Sequence, residues 1–146
     1  ARDRHDRGTF ERAGFVIVAP AAAGDRGVRR LRLGTGDVEP LAQGVDALTG
    51  QKLGLGGNYG VTYDVRIGMP RAGTVGLSPR GGEWAGGLRL EAPGARAVSM
   101  AVPAGAEPLS DPKSAVSMGP IAAGDVRLVF VTGGGSNTPL DLFVSR

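Results

Sequence analysis

The sequence contains no cysteine. This excludes disulfides, thiolate zinc sites, iron–sulfur clusters and cysteine nucleophiles. Lysine is nearly absent too: Lys52 and Lys113 are the only two, so almost all of the positive charge is arginine. No apolar run reaches the length of a membrane-spanning helix, and we therefore expect no membrane span.

The charge pattern argues against a nucleic-acid partner. The net charge is +3, but basic and acidic residues alternate along most of the chain, as on an ordinary solvated surface. Asparagine and glutamine are sparse, which favours a thermophilic source. A GC-rich genome would produce the same bias toward arginine, alanine and glycine.

Glycine and proline are abundant, at 26 and 10 residues, and both are unfavourable inside helices. Residues 58–67 instead alternate strictly between apolar and polar side chains, the pattern of a half-buried β-strand. Residues 125–132 are comparably apolar, and we expect these two strands to lie centrally. With the remaining short runs and turns, the sequence predicts an all-β protein with little helix: a β-sandwich or jelly roll of eight or nine strands.

Two segments are less regular. Residues 45–48 are predicted to form one helical turn between Gly44 and Gly50, and residues 104–123 are predicted to be mostly irregular. We divide the chain into a charged N-terminal arm, residues 1–14, and a single sandwich domain, residues 15–146. A first residue other than methionine is what a mature secreted chain has after signal-peptide removal, and we expect an extracellular or cell-surface protein.

Residues that would support catalysis are few. The one histidine, His5, lies in the charged arm, and neither Ser78 nor Ser136 lies in a nucleophile-elbow motif. Glu83 and Glu91 carry no mark of a glycosidase pair. We therefore predict a non-enzymatic protein without a cofactor.

Calcium remains an alternative to that last prediction. Secreted β-sandwiches hold calcium through loop carboxylates and carbonyl groups. The candidate ligands are Asp37, Glu39, Asp111 and Asp141, although solvated acids in turns explain the same residues.

Three glycine-rich stretches, residues 58–63, 78–86 and 134–140, together with residues 7–10, carry a resemblance. They resemble a group of uncharacterised extracellular β-rich modules of Gram-positive bacteria. The resemblance spans most of the chain and implies secretion and a role at the cell surface. It supplies no catalytic pattern.

The first functional hypothesis is a structural protein: the subunit of an extracellular filament, appendage or matrix such as that of a biofilm. It would assemble into a homopolymer by donating its first apolar strand to a neighbouring sheet. The alternative is pairing of that strand within its own chain. The candidate donor strand consists of Phe15, Val16, Ile17, Val18 and Ala19.

The second hypothesis is a module that binds carbohydrate or cell-envelope polysaccharide. Aromatic residues are only 5% of the chain, so a platform for stacking sugar rings depends on the single tryptophan, Trp84. Trp84 follows a glycine-rich turn that begins with Arg80, and these two residues are the candidate ligand-binding pair.

Overall fold

The chain folds almost entirely into β-strands, as the sequence predicts. A computed structural model describes residues 8–11, 13–19, 29–102, 115–133 and 136–145. Within these ranges no residue lies in an α-helix, and a single 3-10 turn spans Gly56–Asn58. The strands, in chain order, are β1 (Gly8–Phe10), β2 (Gly14–Ala19), β3 (Arg29–Leu33), β4 (Gln43–Asp46), β5 (Lys52–Gly54), β6 (Thr62–Met69), β7 (Gly73–Pro79), β8 (Gly86–Glu91), β9 (Val98–Val102), β10 (Val116–Ile121), β11 (Gly124–Thr132) and β12 (Leu140–Ser145).

The strands form three sheets. We call the five-stranded sheet, with the order β2-β6-β11-β8-β9, the front sheet, and the four-stranded sheet, with the order β10-β7-β12-β3, the back sheet. A small third sheet has the order β1-β4-β5. Neighbouring strands are antiparallel, except that β2 runs parallel to β6. The predicted all-β, sandwich-like fold is confirmed, and β6 and β11 are neighbours inside the front sheet.

The front and back sheets contribute to one hydrophobic core. Alternation decides which side chains enter it, because successive residues of a strand point to opposite faces. Each fully buried aliphatic side chain contributes roughly 1.5–3 kcal/mol relative to an exposed one. The buried set includes Tyr63, Val65 and Ile67 of β6, Val126, Leu128 and Phe130 of β11, and Val75, Leu77, Leu140 and Leu142 of the back sheet.

Tyr63 joins this core to a buried polar cluster. Its ring stacks on Phe130, with centroids 4.8 Å apart and an interplanar angle of 2°. Its hydroxyl donates a 2.9 Å hydrogen bond to Oε1 of Glu39 and accepts one of 3.2 Å from Nδ2 of Asn58. Burial raises the pKa of Tyr63 above its ordinary value, so the phenol keeps its proton and remains a donor.

Asn58 holds the loop before β4 against the start of β6. It has a positive φ of 50°, a conformation that asparagine tolerates better than most residues. Its Oδ1 accepts a 2.8 Å hydrogen bond from the amide of Ala42. Glu39 accepts a further hydrogen bond from the amide of Gly34, so this cluster fixes the chain between β3 and β4.

All eight strands that the alternating runs indicate are present, and β1, β4, β5 and β10 are additional. The prediction of a helical turn at residues 45–48 is wrong. Instead, β4 ends at Asp46, whose Oδ1 accepts hydrogen bonds from the amides of Leu48 and Thr49, and Gly50 follows with a φ of 68°. An aspartate that binds the backbone two residues ahead initiates a turn, and the hairpin to β5 follows from it.

Part of the predicted N-terminal arm is ordered into the fold. Gly8–Phe10 forms β1 and pairs with β4, and Phe10 packs against the core. Residues 1–7 lie outside the described residues. The division of the chain into arm and domain stays a prediction.

The paired glycines at the start of β8 differ in their surroundings. A Cβ at Gly86 would overlap the carbonyl oxygen of Val131 and lie 2.8 Å from a ring carbon of Trp84, whereas a Cβ at Gly87 would meet no atom within 4 Å. The close backbone approach expected of paired glycines in a strand is therefore found at Gly86.

This difference yields a matched pair of substitutions. We expect Gly86→Ala to lower the free energy of unfolding by roughly 1–3 kcal/mol, because neither the Val131 carbonyl nor the buried indole can move away freely. Gly87→Ala should change stability by less than about 0.5 kcal/mol. Urea denaturation of both variants measures the two values, and equal losses would contradict the packing described for Gly86.

Candidate functional site

Trp84 is not available to a ligand. It is fully buried, its ring lies edge-on to Phe130, and its Nε1 donates to the hydroxyl of Thr132. The prediction of an exposed stacking platform is wrong because Gly86 lets the backbone pass close to the indole and covers it.

Arg80 serves a structural ion pair. Its Nε lies 3.3 Å from Oδ2 of Asp141, while Nε of Arg32 lies 2.8 Å from the other oxygen. The Asp141 side chain is only 4% exposed, so two arginines compensate one buried carboxylate on the back sheet. Arg80 is thus separated in role from Trp84, and the two do not form a joint ligand site.

The calcium candidates do not converge. Asp141 is engaged by arginines, Glu39 is buried beside Tyr63, and Asp37 lies exposed in the turn after β3. Asp111 lies outside the described residues. Within the described ranges, no three acidic or histidine side chains come together as a metal site would require. The prediction about cofactors stays a prediction.

Two of the residues considered for catalysis, Ser136 and Glu91, make contacts within the fold. Ser136 is buried, and its hydroxyl accepts from the amide of Ala85 and donates to the carbonyl oxygen of the same residue. Ser78 lies in β7, and Glu91 is paired with arginines. His5 lies outside the described residues.

The candidate donor strand is already used within its own chain. Residues Phe15 to Ala19 belong to β2 and pair in parallel with β6 across the full strand. Phe15 enters the core, where its ring lies 5.9 Å from that of Tyr63. The prediction that this segment is donated to a neighbouring molecule is therefore wrong. Its apolar residues belong to the front sheet of the same molecule.

The outward side of β2 is nevertheless unusual. Val16 and Val18 are 63% and 71% exposed, among the most exposed of the large hydrophobic residues in the described part of the chain. Both point to the outer face of the front sheet, away from the core. We call these two residues the valine pair.

Register places a charged band next to the valine pair. Val16 lies beside Asp64, and Val18 lies beside Arg66. Continuing across the sheet, Arg66 is opposite Arg127, which is opposite Glu91. The next row contains Arg89. The charged band consists of Asp64, Arg66, Arg89, Glu91 and Arg127.

Arg127 organises the charged band. Its Nε and Nη2 bind the two oxygens of Asp64 at 2.9 and 3.0 Å, and its Nη1 lies 3.3 Å from Glu91. Arg66 lies 3.8 Å from Asp64, and Arg89 lies 2.9 Å from Glu91. The band therefore holds three arginines and two carboxylates, an excess of one positive charge.

The protonation states follow from these contacts. The hydrogen bond from Arg127 lowers the pKa of Asp64 below its ordinary value, and hydrogen bonds from Arg89 and Arg127 lower that of Glu91. The same two carboxylates raise the pKa of Arg127. Asp64, Glu91 and Arg127 are thus charged near neutral pH, and the side chains of the band are held in place by one another.

A shallow concavity of about 540 Å³ lies at one end of this face. Its lining includes Val18 from the valine pair, Arg66, Arg127 and Glu91 from the charged band, and Pro93 after β8. At the other end of the outer face, the outward residues include small ones such as Gly87 and Ala101. The outer face of the front sheet is the candidate functional site.

Sequence reasoning missed this site, although one signal for it was present. Asp64 and Arg66 form the polar phase of the alternating strand, which already places them on the outward face. The pairing of Arg127 with Asp64 spans 63 residues and depends on the register of β6 against β11. Alternation alone does not supply that register.

No family model matches the chain, and no curated protein matches it. The fold resembles the crystal structure of Aeromonas hydrophila PliG, a periplasmic lysozyme inhibitor of g-type lysozyme. The identity is 17%, the TM-score is 0.43, and the match covers 90% of this chain and 96% of that one.

The structure corrects the predicted function. The pairing of β2 and the burial of Trp84 remove the residues on which the filament and carbohydrate-binding hypotheses depended. Both are therefore withdrawn, and with them the homopolymer, the biofilm matrix and the polysaccharide partner. The inference of a thermophilic source has no support here.

The described part of the chain holds no helix with the length and hydropathy of a membrane span. The resemblance to modules of Gram-positive bacteria stays a prediction.

The charged band makes stability depend on pH. Because the pKa of Asp64 is lowered in the folded state, its contribution to stability is present above its unfolded pKa and is lost as the pH falls through its folded value. We expect Asp64→Asn to be less stable than wild type at pH 7, with a difference that shrinks below about pH 4.

Urea unfolding at several pH values between 7 and 3 measures this difference. Asp37→Asn, which changes an exposed turn residue, is the control and should follow wild type throughout. An Asp64→Asn deficit of equal size at pH 7 and pH 3 would mean that the ion pair with Arg127 does not stabilise the fold.

Proposed function

We propose that this chain is an exported, non-enzymatic domain that binds a protein partner through the outer face of its front sheet. The observation that carries the proposal is the position of the valine pair, 63% and 71% exposed, directly beside the charged band. Specific protein interfaces combine an apolar centre with arginine and a polar rim, and this face presents those elements together.

The valine pair supplies the apolar part. Isolated surface hydrophobic residues are common, but Val16 and Val18 are neighbours on one face of one strand, and the concavity continues from Val18. Their exposure is unfavourable in the free protein, and a partner that covers both removes this apolar surface from water.

The charged band supplies orientation and selectivity. Arginine is enriched among residues that dominate binding energy, and its planar group binds carboxylates in a defined geometry. Asp64 and Glu91 are engaged by Arg127, and Asp125 also lines the concavity, so the face presents both basic and acidic groups. We infer that the partner presents complementary charges of both signs around an apolar residue.

The rigidity of the face favours binding. Arg66 and Arg127 lie on β6 and β11, the two strands whose opposite faces form the core. Their side chains are held by ion pairs before any partner arrives, so less conformational entropy is lost on association. The exposed valines have few rotamers to lose.

The test replaces Val18 with glutamate. We expect Val18→Glu to weaken partner binding by at least tenfold, because it places a charge in the apolar part of the interface. Proteins of the native extracellular or periplasmic extract are bound to immobilised wild type and variant in parallel and quantified by mass spectrometry. Purified g-type lysozyme, the enzyme named for the similar structure, is measured in the same way as a defined probe.

Val98→Glu is the matched control, since Val98 is 52% exposed but does not belong to the outer face of the front sheet. The proposal predicts at least one protein that is retained by wild type and Val98→Glu and is lost with Val18→Glu. The melting temperatures of wild type, Val18→Glu and Val98→Glu should agree, which shows that all three proteins are folded. If no protein shows this pattern, the outer face is not a protein-binding surface.

A further inference from the structure

A second concavity lies on a different part of the molecule, where the front and back sheets separate at one side. It runs between β8 and β9 of the front sheet and β10 of the back sheet, and its volume is about 490 Å³. We call it the seam groove. Its apolar lining includes Leu90, Val98, Met100, Met118, Pro120 and Ile121.

The lining is suited to a flexible apolar ligand. Small-molecule sites have volumes of roughly 300–1,000 Å³ and mostly apolar walls with a few polar groups. Met100 and Met118 come from opposite sheets, and their unbranched side chains adapt to the shape of an occupant. Ala92, Ala95 and Ala122 leave space along the groove.

The described lining of the seam groove carries one positive charge. Arg96, an exposed residue between β8 and β9, is the one charged side chain among the described residues that line it. No acidic side chain belongs to that lining. The groove thus combines a long apolar surface with one positive charge, which is complementary to a molecule with one anionic end and an apolar body.

The position of the groove disfavours a peptide. It lies between the sheets, whereas the backbone N–H and C=O groups of β9 and β10 point along the planes of their sheets. The amide groups of a peptide in the groove would meet side chains such as Met100 and Ile121 and lose their hydrogen bonds to water. A hydrocarbon chain has no such groups to satisfy.

We propose that the seam groove binds the anion of a single-chain fatty acid, with the hydrocarbon chain against Met100 and Met118 and the carboxylate at Arg96. This site is separate from the outer face of the front sheet and does not depend on the function proposed for it. The ligand is the free acid rather than the headgroup of a phospholipid in a bilayer, because the lining of the groove is mostly apolar and a headgroup has no apolar part to place against it.

Isothermal titration calorimetry with decanoate below its micellar concentration tests the site. We expect saturable binding of one decanoate per chain to wild type and no binding of decyltrimethylammonium, which has the same chain and the opposite charge. Vesicles of anionic phospholipid should not bind the protein in a flotation assay. Wild type that binds vesicles but not decanoate, or that binds neither, overturns the proposal.

Two variants locate the binding. Val98→Glu places a carboxylate in the seam groove and should weaken decanoate binding at least tenfold. Val16→Glu changes another exposed valine, on the outer face of the front sheet, and should leave decanoate binding unchanged. Arg96→Glu should weaken decanoate binding and permit binding of decyltrimethylammonium. Equal effects of Val98→Glu and Val16→Glu, or an Arg96→Glu protein with wild-type preference, place the ligand elsewhere and refute the site. Matching melting temperatures exclude misfolding as the cause.

Discussion

The placement of Tyr63 is the constraint on which the rest of the structure depends. Its ring is stacked on Phe130, which joins β6 to β11, and its hydroxyl reaches Glu39 and Asn58, which join the core to the chain between β3 and β4. An aromatic pair contributes about 0.5–1.5 kcal/mol beyond its buried area, and a typical hydrogen bond contributes about 0.5–1.5 kcal/mol. With the inward face of β6 fixed in this way, its alternate residues have only the outward face to occupy.

That division explains how one strand serves both stability and recognition. Tyr63 and Val65 are buried, and between and beyond them Asp64 and Arg66 emerge on the opposite side. β11 behaves likewise, and Arg127 reaches across to Asp64. The charged band is therefore supported by the most deeply buried part of the sandwich. The seam groove differs, because it forms where the two sheets end and a core-facing side chain such as Val98 remains open to solvent.

Much of the fold follows from local patterns in the sequence. The site depends instead on the pairing and register of strands that are distant in the sequence, which local patterns do not specify. Alternation over residues 58–67 assigns Tyr63 to the core correctly, and the two central strands are found where they were predicted. An apolar run such as residues 15–19 looks fully buried, yet β2 has an exposed outer face. Its parallel pairing is with β6, a strand that lies far from it in the sequence. Trp84 looks exposed beside a turn, and only the close approach at Gly86 shows why it is buried.

The proposed protein partner covers the valine pair and the charged band. Hydroxyl-radical footprinting of the chain, free and in complex with the partner that depends on Val18, measures this directly, since the reagent oxidises side chains in proportion to their exposure. We expect the labelling of Val16 and Val18 to fall on binding, whereas the labelling of Val98 and Leu48, both exposed elsewhere, should stay constant. Unchanged labelling of Val16 and Val18 in the complex, with protection at Val98 or Leu48 instead, would contradict this proposal.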